Sequence, residues 1–280
     1  MTPSSRRPRT KRVKSTLVAL QDWDLLDAFP LIGLCGYVTA DQIARATGRS
    51  LDRARRRLRQ LFDAGYLDFT LVSSTEATLI SLKARAVAEV RQREPELAAR
   101  LRRVGPIAYA GVDHHLGVVD ARLYAVAWGT LRTSPLVRWA NAGGDVAREI
   151  GLPSYRVEPD GLAEFASPGG PRYVAVEVDC AATEPGSVLA DKLARYANVF
   201  EDHRLDRLWV IVKNAGVERQ RTVAALVARH GLDAVVCIAD HAAVVARPVV
   251  DIEAAGGADG AEGPNTRSRA VSVPEGFHRG

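Results

Sequence analysis

The stretch VAVEVDCAATEPGSVLADKLARY, residues 174–196, decides the fold of the second half of the chain. Its first residues alternate in polarity, and this period of two predicts a β-strand that buries one face. Two carboxylates, Glu177 and Asp179, lie at the end of this strand. The residues after it predict a helix that carries Lys192 and Tyr196 on one side. Carboxylates at the end of a buried strand lose solvation. The pattern therefore predicts nearby groups that stabilise their negative charge.

A second strand is expected directly before this one. Residues 162–165 are mostly apolar, and a Ser-Pro-Gly-Gly-Pro turn separates them from residues 173–179. This arrangement is typical of a β-hairpin. Asp160 lies where the first strand of the hairpin begins, so pairing across the hairpin brings it near Glu177.

Asp160, Glu177, Asp179 and Lys192 together predict metal-assisted phosphodiester hydrolysis. Three converging carboxylates repel one another, and a divalent ion such as Mg²⁺ or Mn²⁺ removes that cost by taking their oxygens as ligands. The predicted ligands are Asp160, Glu177 and Asp179, and the predicted catalytic residues are Asp160, Glu177 and Lys192. The competing interpretation is a solvated strand end with Lys192 as a surface ion partner, and the residues alone favour neither.

The rest of the second half alternates helices and strands. Residues 206–214 contain a continuous apolar run, residues 208–212, that predicts a central strand, followed by a helix and a further strand that ends near residue 240. Mixed strands with intervening helices predict an α/β sandwich over residues 106–250. Residues 251–280 have few apolar side chains to bury and are expected to be disordered.

The first half predicts a winged helix-turn-helix over residues 17–90. An initial helix is expected to end close to Pro30. Thr39 and Gln42 form a capping-box pattern at the start of a short helix, and Ser50 precedes a basic amphipathic helix that Gly65 closes. Two short strands around a polar turn at residues 73–76 complete the order of elements, and residues 91–105 are a predicted helical linker.

A basic face on the third helix of this unit predicts binding to double-stranded DNA. The candidate DNA-binding residues are Arg49, Arg53, Arg56, Arg57 and Gln60. Arginine pairs with a guanine edge or a phosphate, and glutamine pairs with adenine. Two other interpretations stay open, namely a solvated helix face and a protein-docking module.

Charge and composition limit the classes of function. Residues 1–105 carry 20 Lys and Arg side chains against 11 Asp and Glu, whereas the remainder carries 18 against 22. A cationic half next to a mildly anionic half favours a polyanionic partner for the first half. No apolar run is long enough to span a bilayer, and residues 1–16 are expected to be a disordered basic tail rather than a secretory signal. Three widely spaced cysteines suit the reducing cytoplasm, so a cytoplasmic location is expected.

Four segments of the sequence resemble the replication-relaxation family of bacterial plasmids and integrative conjugative elements. They are RRLRQLFDAGYLD, HHLGVVDARL, PDG and VEVDCAATE with LADKLARY. The resemblance extends over about residues 17–245. It implies a winged helix joined to a domain similar to the restriction-endonuclease fold. By this resemblance Asp160 matches the aspartate of the nuclease PD motif, and Glu177 matches the glutamate of its ExK motif.

One position departs from the nuclease pattern. Asp179 occupies the place of the ExK lysine, so either Lys192 replaces that lysine from the next helix or the site is inactive. The leading hypothesis is therefore a DNA-binding protein of a mobile element with a metal-dependent nuclease-like domain. The alternative is a non-enzymatic regulator or accessory factor, whose second domain forms a homodimer or recruits plasmid replication or transfer proteins.

Overall fold

A computed structural model of the chain describes residues 18–72, 77–101, 111–141, 144–180, 186–214 and 216–256. The predicted basic tail, the predicted turn at 73–76 and the predicted domain boundary near residue 105 lie outside these ranges. The chain divides into two compact units, and the division falls between residues 119 and 120. Among the described residues, no helix is long and apolar enough to cross a membrane.

Unit 1 consists of helices followed by an antiparallel hairpin and two further helices. In chain order its elements are α1 (Phe29–Cys35), α2 (Ala40–Ala46), α3 (Leu51–Asp63), β1 (Leu67–Val72), β2 (Ala77–Leu82), α4 (Ala84–Arg93) and α5 (Pro95–Arg100). β1 pairs with β2 from Leu67 opposite Leu82 to Val72 opposite Ala77, and Val38 forms an additional bridge to Ile80.

The predicted helix caps of unit 1 are confirmed. The Thr39 hydroxyl accepts a hydrogen bond from the Gln42 amide at 3.2 Å, while the Gln42 side-chain oxygen accepts from the Thr39 amide at 3.0 Å. Ser50 accepts from the Arg53 amide, so α3 also begins with a side-chain cap. These bonds satisfy amide groups that the first turn of a helix leaves without intrahelical partners.

The first helix does not end at Pro30. A π-helical turn, Asp24–Ala28, leads directly into α1, and Pro30 lies in the first turn of α1. The widened turn places Asp24 in the interior, where it is fully buried.

The predicted linker at residues 91–105 is, over its described part, packed into unit 1. The end of α4 and all of α5 lie in this stretch, and Ala98 and Leu101 are buried. Helix α6 (Val112–Leu131) then contributes its first residues to unit 1 and the rest to unit 2.

Unit 2 is built around a five-stranded mixed sheet within the described residues. After α6 its elements are β3 (Leu136–Asn141), α7 (Asp145–Glu149), a 3-10 turn (Leu152–Tyr155), β4 (Gly161–Phe165), β5 (Arg172–Cys180), α8 (Gly186–Glu201), β6 (Arg207–Lys213), α9 (Gly216–Arg229), β7 (Val236–Asp240), α10 (His241–Val245) and α11 (Ile252–Gly256). The strands lie in the order in which they occur in the chain. β3, β4 and β5 pair antiparallel, whereas β5, β6 and β7 pair parallel.

Helices cover both faces of this sheet. On one face α7, α8 and α9 pack on apolar side chains of β4, β5 and β6, including Leu162, Ala175 and Val210. On the other face an aromatic cluster contains Trp128 of α6, Phe165 of β4 and Trp209 of β6. The α/β character expected for this half is confirmed.

The segment predicted to be disordered from residue 251 starts with ordered structure. α11 lies at residues 252–256, and Ile252 is buried. Two polar side chains anchor it: Asp251 accepts from the Trp128 indole at 3.1 Å, and Glu253 accepts from the Trp209 indole at 3.0 Å. The sequence suggested disorder because these anchors are polar and their partners lie far away in the chain.

Candidate functional site

Glu177 is the centre of a buried polar cluster in unit 2. It projects from β5 on the same face as Ala175, and only 3% of it is exposed. Its two carboxylate oxygens have different partners: one accepts from the Lys192 ammonium at 2.7 Å and the other from the Tyr196 hydroxyl at 2.7 Å. Lys192 and Tyr196 reach the same carboxylate because they lie one turn apart on α8.

Asp160 joins this cluster from the adjacent strand. Gly161 pairs with Val176, so the antiparallel ladder brings Asp160 to the level of Glu177. One oxygen of Asp160 accepts a hydrogen bond from the backbone amide of Val178 at 2.8 Å. This bond fixes Asp160 beside the strand that carries Glu177.

The pKa of Glu177 reflects this environment. Burial, and after it the nearby Asp160 carboxylate, raise the pKa of Glu177 to about 8, against the opposing effect of Lys192 and Tyr196. Burial and the negative charge of Glu177 raise the pKa of Tyr196 well above its ordinary value. The cluster therefore combines desolvation with repulsion between two carboxyl groups.

Asp179 has a separate partner. Its two oxygens accept hydrogen bonds from Nε and Nη2 of Arg219, at 2.7 and 2.9 Å, in a bidentate pair. Arg219 lies in the first turn of α9, and Asp179 is only 2% exposed. The guanidinium group of Arg219 thus compensates the charge of Asp179.

The donor set can be tested against the predicted divalent ion. Across the described ranges, no group of three His, Cys, Asp or Glu side chains is arranged to hold a metal ion. Asp160 and Glu177 are hard oxygen donors whose repulsion the ion would relieve, but an ion at Glu177 would have to displace the Lys192 ammonium or the Tyr196 hydroxyl. Asp179 does not suit it in this arrangement, because Arg219 occupies both of its oxygens.

The basic face of α3 forms a second candidate site, in unit 1. Ala54, Leu58 and Leu61 pack inward, while the opposite side of the helix is exposed to solvent. The exposed side chains that define this α3 face are Arg53, Arg55, Arg56 and Gln60. Within the described part of unit 1, no acidic side chain forms an ion pair with any of these three arginines.

Arg57 is not on the α3 face, and the prediction that it shares this face is corrected. Its side chain is only 10% exposed and forms an ion pair with the fully buried Asp24. Arg57 Nε donates to Asp24 at 3.1 Å, and Nη2 donates both to Asp24 and to the carbonyl of Ala19. Arg57 therefore ties α3 to the preceding π-helical turn.

Arg49 lies at the edge of the same region and is half-buried. Its guanidinium carbon lies 4.8 Å from the centre of the Trp23 ring, a distance typical of a cation–π contact. Its Nε atom is buried and has no hydrogen-bond partner among the described residues.

Two residues of these sites were missed from the sequence. Arg219 is separated from Asp179 by 40 positions, and Asp24 is separated from Arg57 by 33. An arginine in the first turn after a predicted strand was a usable signal for Arg219, because such a turn lies at the strand's carboxyl end. Asp24 gave no comparable signal, since its burial depends on the π-helical turn.

These features define the class of protein: a two-unit α/β chain with a cationic helix face in one unit and a buried acidic cluster in the other. The chain belongs to the replication-relaxation family, whose sequence profile matches residues 30–208. Membership associates it with the replication or transfer of plasmids and other mobile elements. Among curated proteins and solved structures, none matches the chain at a significant level.

Proposed function

We propose that the protein binds double-stranded DNA of a bacterial mobile element through unit 1, as a winged helix. The single observation that carries this proposal is the α3 face, with three exposed arginines on one helix. The capped α2–α3 pair and the hairpin that follows match the element order of winged helices, in which the second helix of the pair enters the major groove. Unpaired guanidinium groups bind phosphates and guanine edges.

The dependence of affinity on salt tests this proposal. The full chain is titrated onto a labelled duplex of mixed sequence at several salt concentrations, and log K is plotted against log salt. Each phosphate contact contributes about 0.9 to the magnitude of the slope. The variant Arg53→Ala/Arg55→Ala/Arg56→Ala should lower both the affinity and the slope, by about one unit for each arginine that contacts a phosphate.

A matched control removes the same charge elsewhere. Arg91, Arg100 and Arg229 are exposed and lie outside α3, so Arg91→Ala/Arg100→Ala/Arg229→Ala should leave the slope nearly unchanged. Equal losses in the two triple variants would indicate a general charge effect and would contradict an α3 interface.

As a second function we propose metal-dependent phosphodiester hydrolysis in unit 2, within a fold similar to restriction endonucleases. The observation that favours it is the convergence of Asp160, Lys192 and Tyr196 on Glu177. Asp160 and Glu177 would hold Mg²⁺ or Mn²⁺, which supplies Lewis-acid activation of a phosphate and a water. Lys192 is partly exposed, so its ammonium, while donating to Glu177, could also stabilise negative charge on a phosphate oxygen.

Plasmid nicking tests the second function. Supercoiled plasmid is incubated with the full chain and Mn²⁺ or Mg²⁺, and the wild type is compared with Asp160→Ala and Glu177→Ala. Loss of nicking in both variants, with activity kept in a Glu218→Ala control at an exposed site, would support it. Equal nicking by all four proteins would assign the activity to a contaminant.

The alternative is a non-enzymatic accessory factor, in which unit 2 forms a homodimer or recruits replication or transfer proteins. The Asp179–Arg219 pair favours this alternative, because an internal ion pair replaces the motif lysine. Calorimetric titration with Mn²⁺ separates the two proposals. A nuclease-like centre requires saturable binding that Glu177→Ala abolishes, whereas an accessory factor requires none.

A further inference from the structure

Gln60 has a fixed orientation on the α3 face. It is exposed, yet its side-chain oxygen Oε1 accepts a hydrogen bond from Arg57 Nη1 at 3.2 Å. Arg57 cannot move freely, because Nε and Nη2 of its guanidinium group bind Asp24 and the Ala19 carbonyl. The buried ion pair therefore acts as a rigid base for the Gln60 side chain.

The chemistry of the two groups determines which end of the Gln60 amide faces outward. A guanidinium group has only donors, so the amide atom that faces it must be the oxygen. The reversed amide would bring N–H groups against N–H groups. Gln60 thus directs its carbonyl toward Arg57 and its NH₂ group away from it, and that NH₂ group donates to no other described residue.

This orientation affects which base edge Gln60 can bind. A bidentate contact to adenine needs the amide oxygen and the amide nitrogen side by side, since adenine presents a donor at N6 and an acceptor at N7. Guanine presents two acceptors, O6 and N7, to an outward NH₂ group, whereas adenine presents it with one acceptor, N7, beside the N6 donor. With its oxygen directed toward Arg57, Gln60 is suited to guanine and poorly suited to adenine.

We propose that Gln60 is a specificity-determining residue that selects guanine over adenine at one base pair, and that Arg57 is the residue that positions it. The proposal rests on the DNA-binding function of unit 1. It changes the expectation from the sequence, in which Gln60 pairs with adenine. It also gives Arg57 a role in recognition although its own guanidinium group does not reach the exposed face.

A binding selection on randomised duplexes tests this assignment. The full chain is incubated at one salt concentration with a pool of duplexes whose central segment is random, and the bound fraction is sequenced. We expect one position at which guanine exceeds adenine by about tenfold, the discrimination of one good base contact. Gln60→Ala should remove the preference at that position alone and leave the other positions unchanged.

Two further variants test the positioning role of Arg57. Asp24→Asn/Arg57→Met removes both charges of the buried pair and releases Oε1 of Gln60. The frequency of adenine among the bound duplexes should then at least equal that of guanine at the Gln60-dependent position. Gln60→Lys has donors only and should retain the guanine preference. Because the double variant alters the interior, its thermal unfolding is measured first, and Gln60→Ala with Gln60→Lys decides the assignment if it does not fold.

The outcomes separate this proposal from DNA binding itself. Salt-dependent binding with an unchanged base profile in Gln60→Ala would overturn the role of Gln60 and leave the DNA-binding function intact. A wild-type preference for adenine at the Gln60-dependent position would also overturn it. Absence of salt-dependent binding to any duplex in the pool would remove the proposed function and this inference together.

Discussion

At the scale of single residues, the buried ion pair between Asp24 and Arg57 joins α3 to the π-helical turn of unit 1. Removing two charges from water is costly, and the cost is recovered only when hydrogen bonds satisfy both partners. Both oxygens of Asp24 accept from Arg57, and one also accepts from the backbone amide of Gln21 at 2.8 Å. The pair is therefore well compensated, but the loss of either partner leaves an uncompensated buried charge.

Asp24→Asn is predicted to destabilise the protein strongly. It leaves the Arg57 charge buried without its counter-charge, which typically lowers the free energy of unfolding by about 3–5 kcal/mol. Asp41→Asn is the matched control, because Asp41 is 61% exposed in its ion pair with Arg45 and should cost less than about 1 kcal/mol. Denaturant unfolding measures both. A similarly small decrease in the free energy of unfolding in the two variants would contradict the role assigned to Asp24.

His115 is predicted to make the stability of unit 1 depend on pH. Burial lowers the pKa of His115 below its ordinary value of 6.5, and its Nε2–H donates to the Tyr37 carbonyl at 2.9 Å. The unfolded chain binds a proton near pH 6.5 that the folded chain does not, so stability from this residue is lost as the pH falls below that value. It is fully present at higher pH.

Unfolding measured at several pH values tests this effect. Between about pH 7.5 and pH 5.5, the free energy of unfolding of the wild type should fall more than that of His115→Gln, whose amide can still donate to Tyr37. His203→Gln, at an exposed histidine, should show the same fall in the free energy of unfolding as the wild type. If His115→Gln also follows the wild type, another group causes the pH dependence.

The residues of the acidic cluster were predictable from the sequence to different degrees. A period of 2 placed Glu177 on one face of its strand, and a period of 3.6 placed Lys192 on the same side of the next helix as Tyr196. Asp160 followed from the hairpin. The partner of Asp179 did not, because Arg219 arrives from a helix beyond the next strand and only the parallel register of β5 and β6 brings it close.

At the scale of elements, the contact between β3 and β4 determines where Asp160 lies. Gly161 begins β4 opposite Asn141 of β3. The Trp139 ring packs against Gly161. A β-carbon at residue 161 would lie 2.3 Å from the ring atom Cζ2. Glycine is therefore required directly after Asp160.

Gly161→Ala is predicted to destabilise unit 2 and to displace the start of β4. Real β-carbon contacts of this length do not occur, so either the Trp139 ring or the β4 backbone must shift, at a cost of about 1–3 kcal/mol. Gly169→Ala is the control, because a β-carbon at that position has no heavy atom within 4 Å. Thermal denaturation compares the two. Equal midpoints would show that Trp139 moves aside without cost.

Elements with a clear local signal were predicted, whereas those stabilised by distant partners were not. The capping box at Thr39 and the hairpin strands β4 and β5 follow from local chemistry. β3 was seen only as a short apolar segment, because its edge position leaves most of it half-exposed and no strict alternation results. α11 was missed for the related reason that its anchors Asp251 and Glu253 are charged.

At the scale of unit 2, residues 251–256 complete one side of the sheet. The two oxygens of Glu253 each lie 2.7 Å from Arg172 Nη2, and Tyr124 donates to the Val250 carbonyl and accepts from the Ile252 amide. The chain thus returns after β7 to satisfy polar groups that α6, β5 and β6 leave beside the aromatic cluster.

A chain that ends after Val250 is predicted to be less stable than one that ends after Gly256. The shorter chain leaves Arg172 and the Trp128 and Trp209 indole groups without their acceptors. Each unsatisfied buried group costs about 1–3 kcal/mol, so a loss of at least about 3 kcal/mol is expected from denaturant unfolding. The longer chain keeps every one of these contacts and is the matched control. Identical unfolding midpoints would contradict an anchoring role.

The strand order of unit 2 has a consequence for synthesis on the ribosome. Each strand of the sheet pairs with the strand translated immediately before it, from β3 through to β7. None of these five strands must wait for a later segment to be inserted between itself and its predecessor, so each new strand is added at the same edge of the growing sheet, opposite β3. Short separations between partners favour rapid pairing, and an emerging chain of this kind exposes few alternative edges to its neighbours on a polysome.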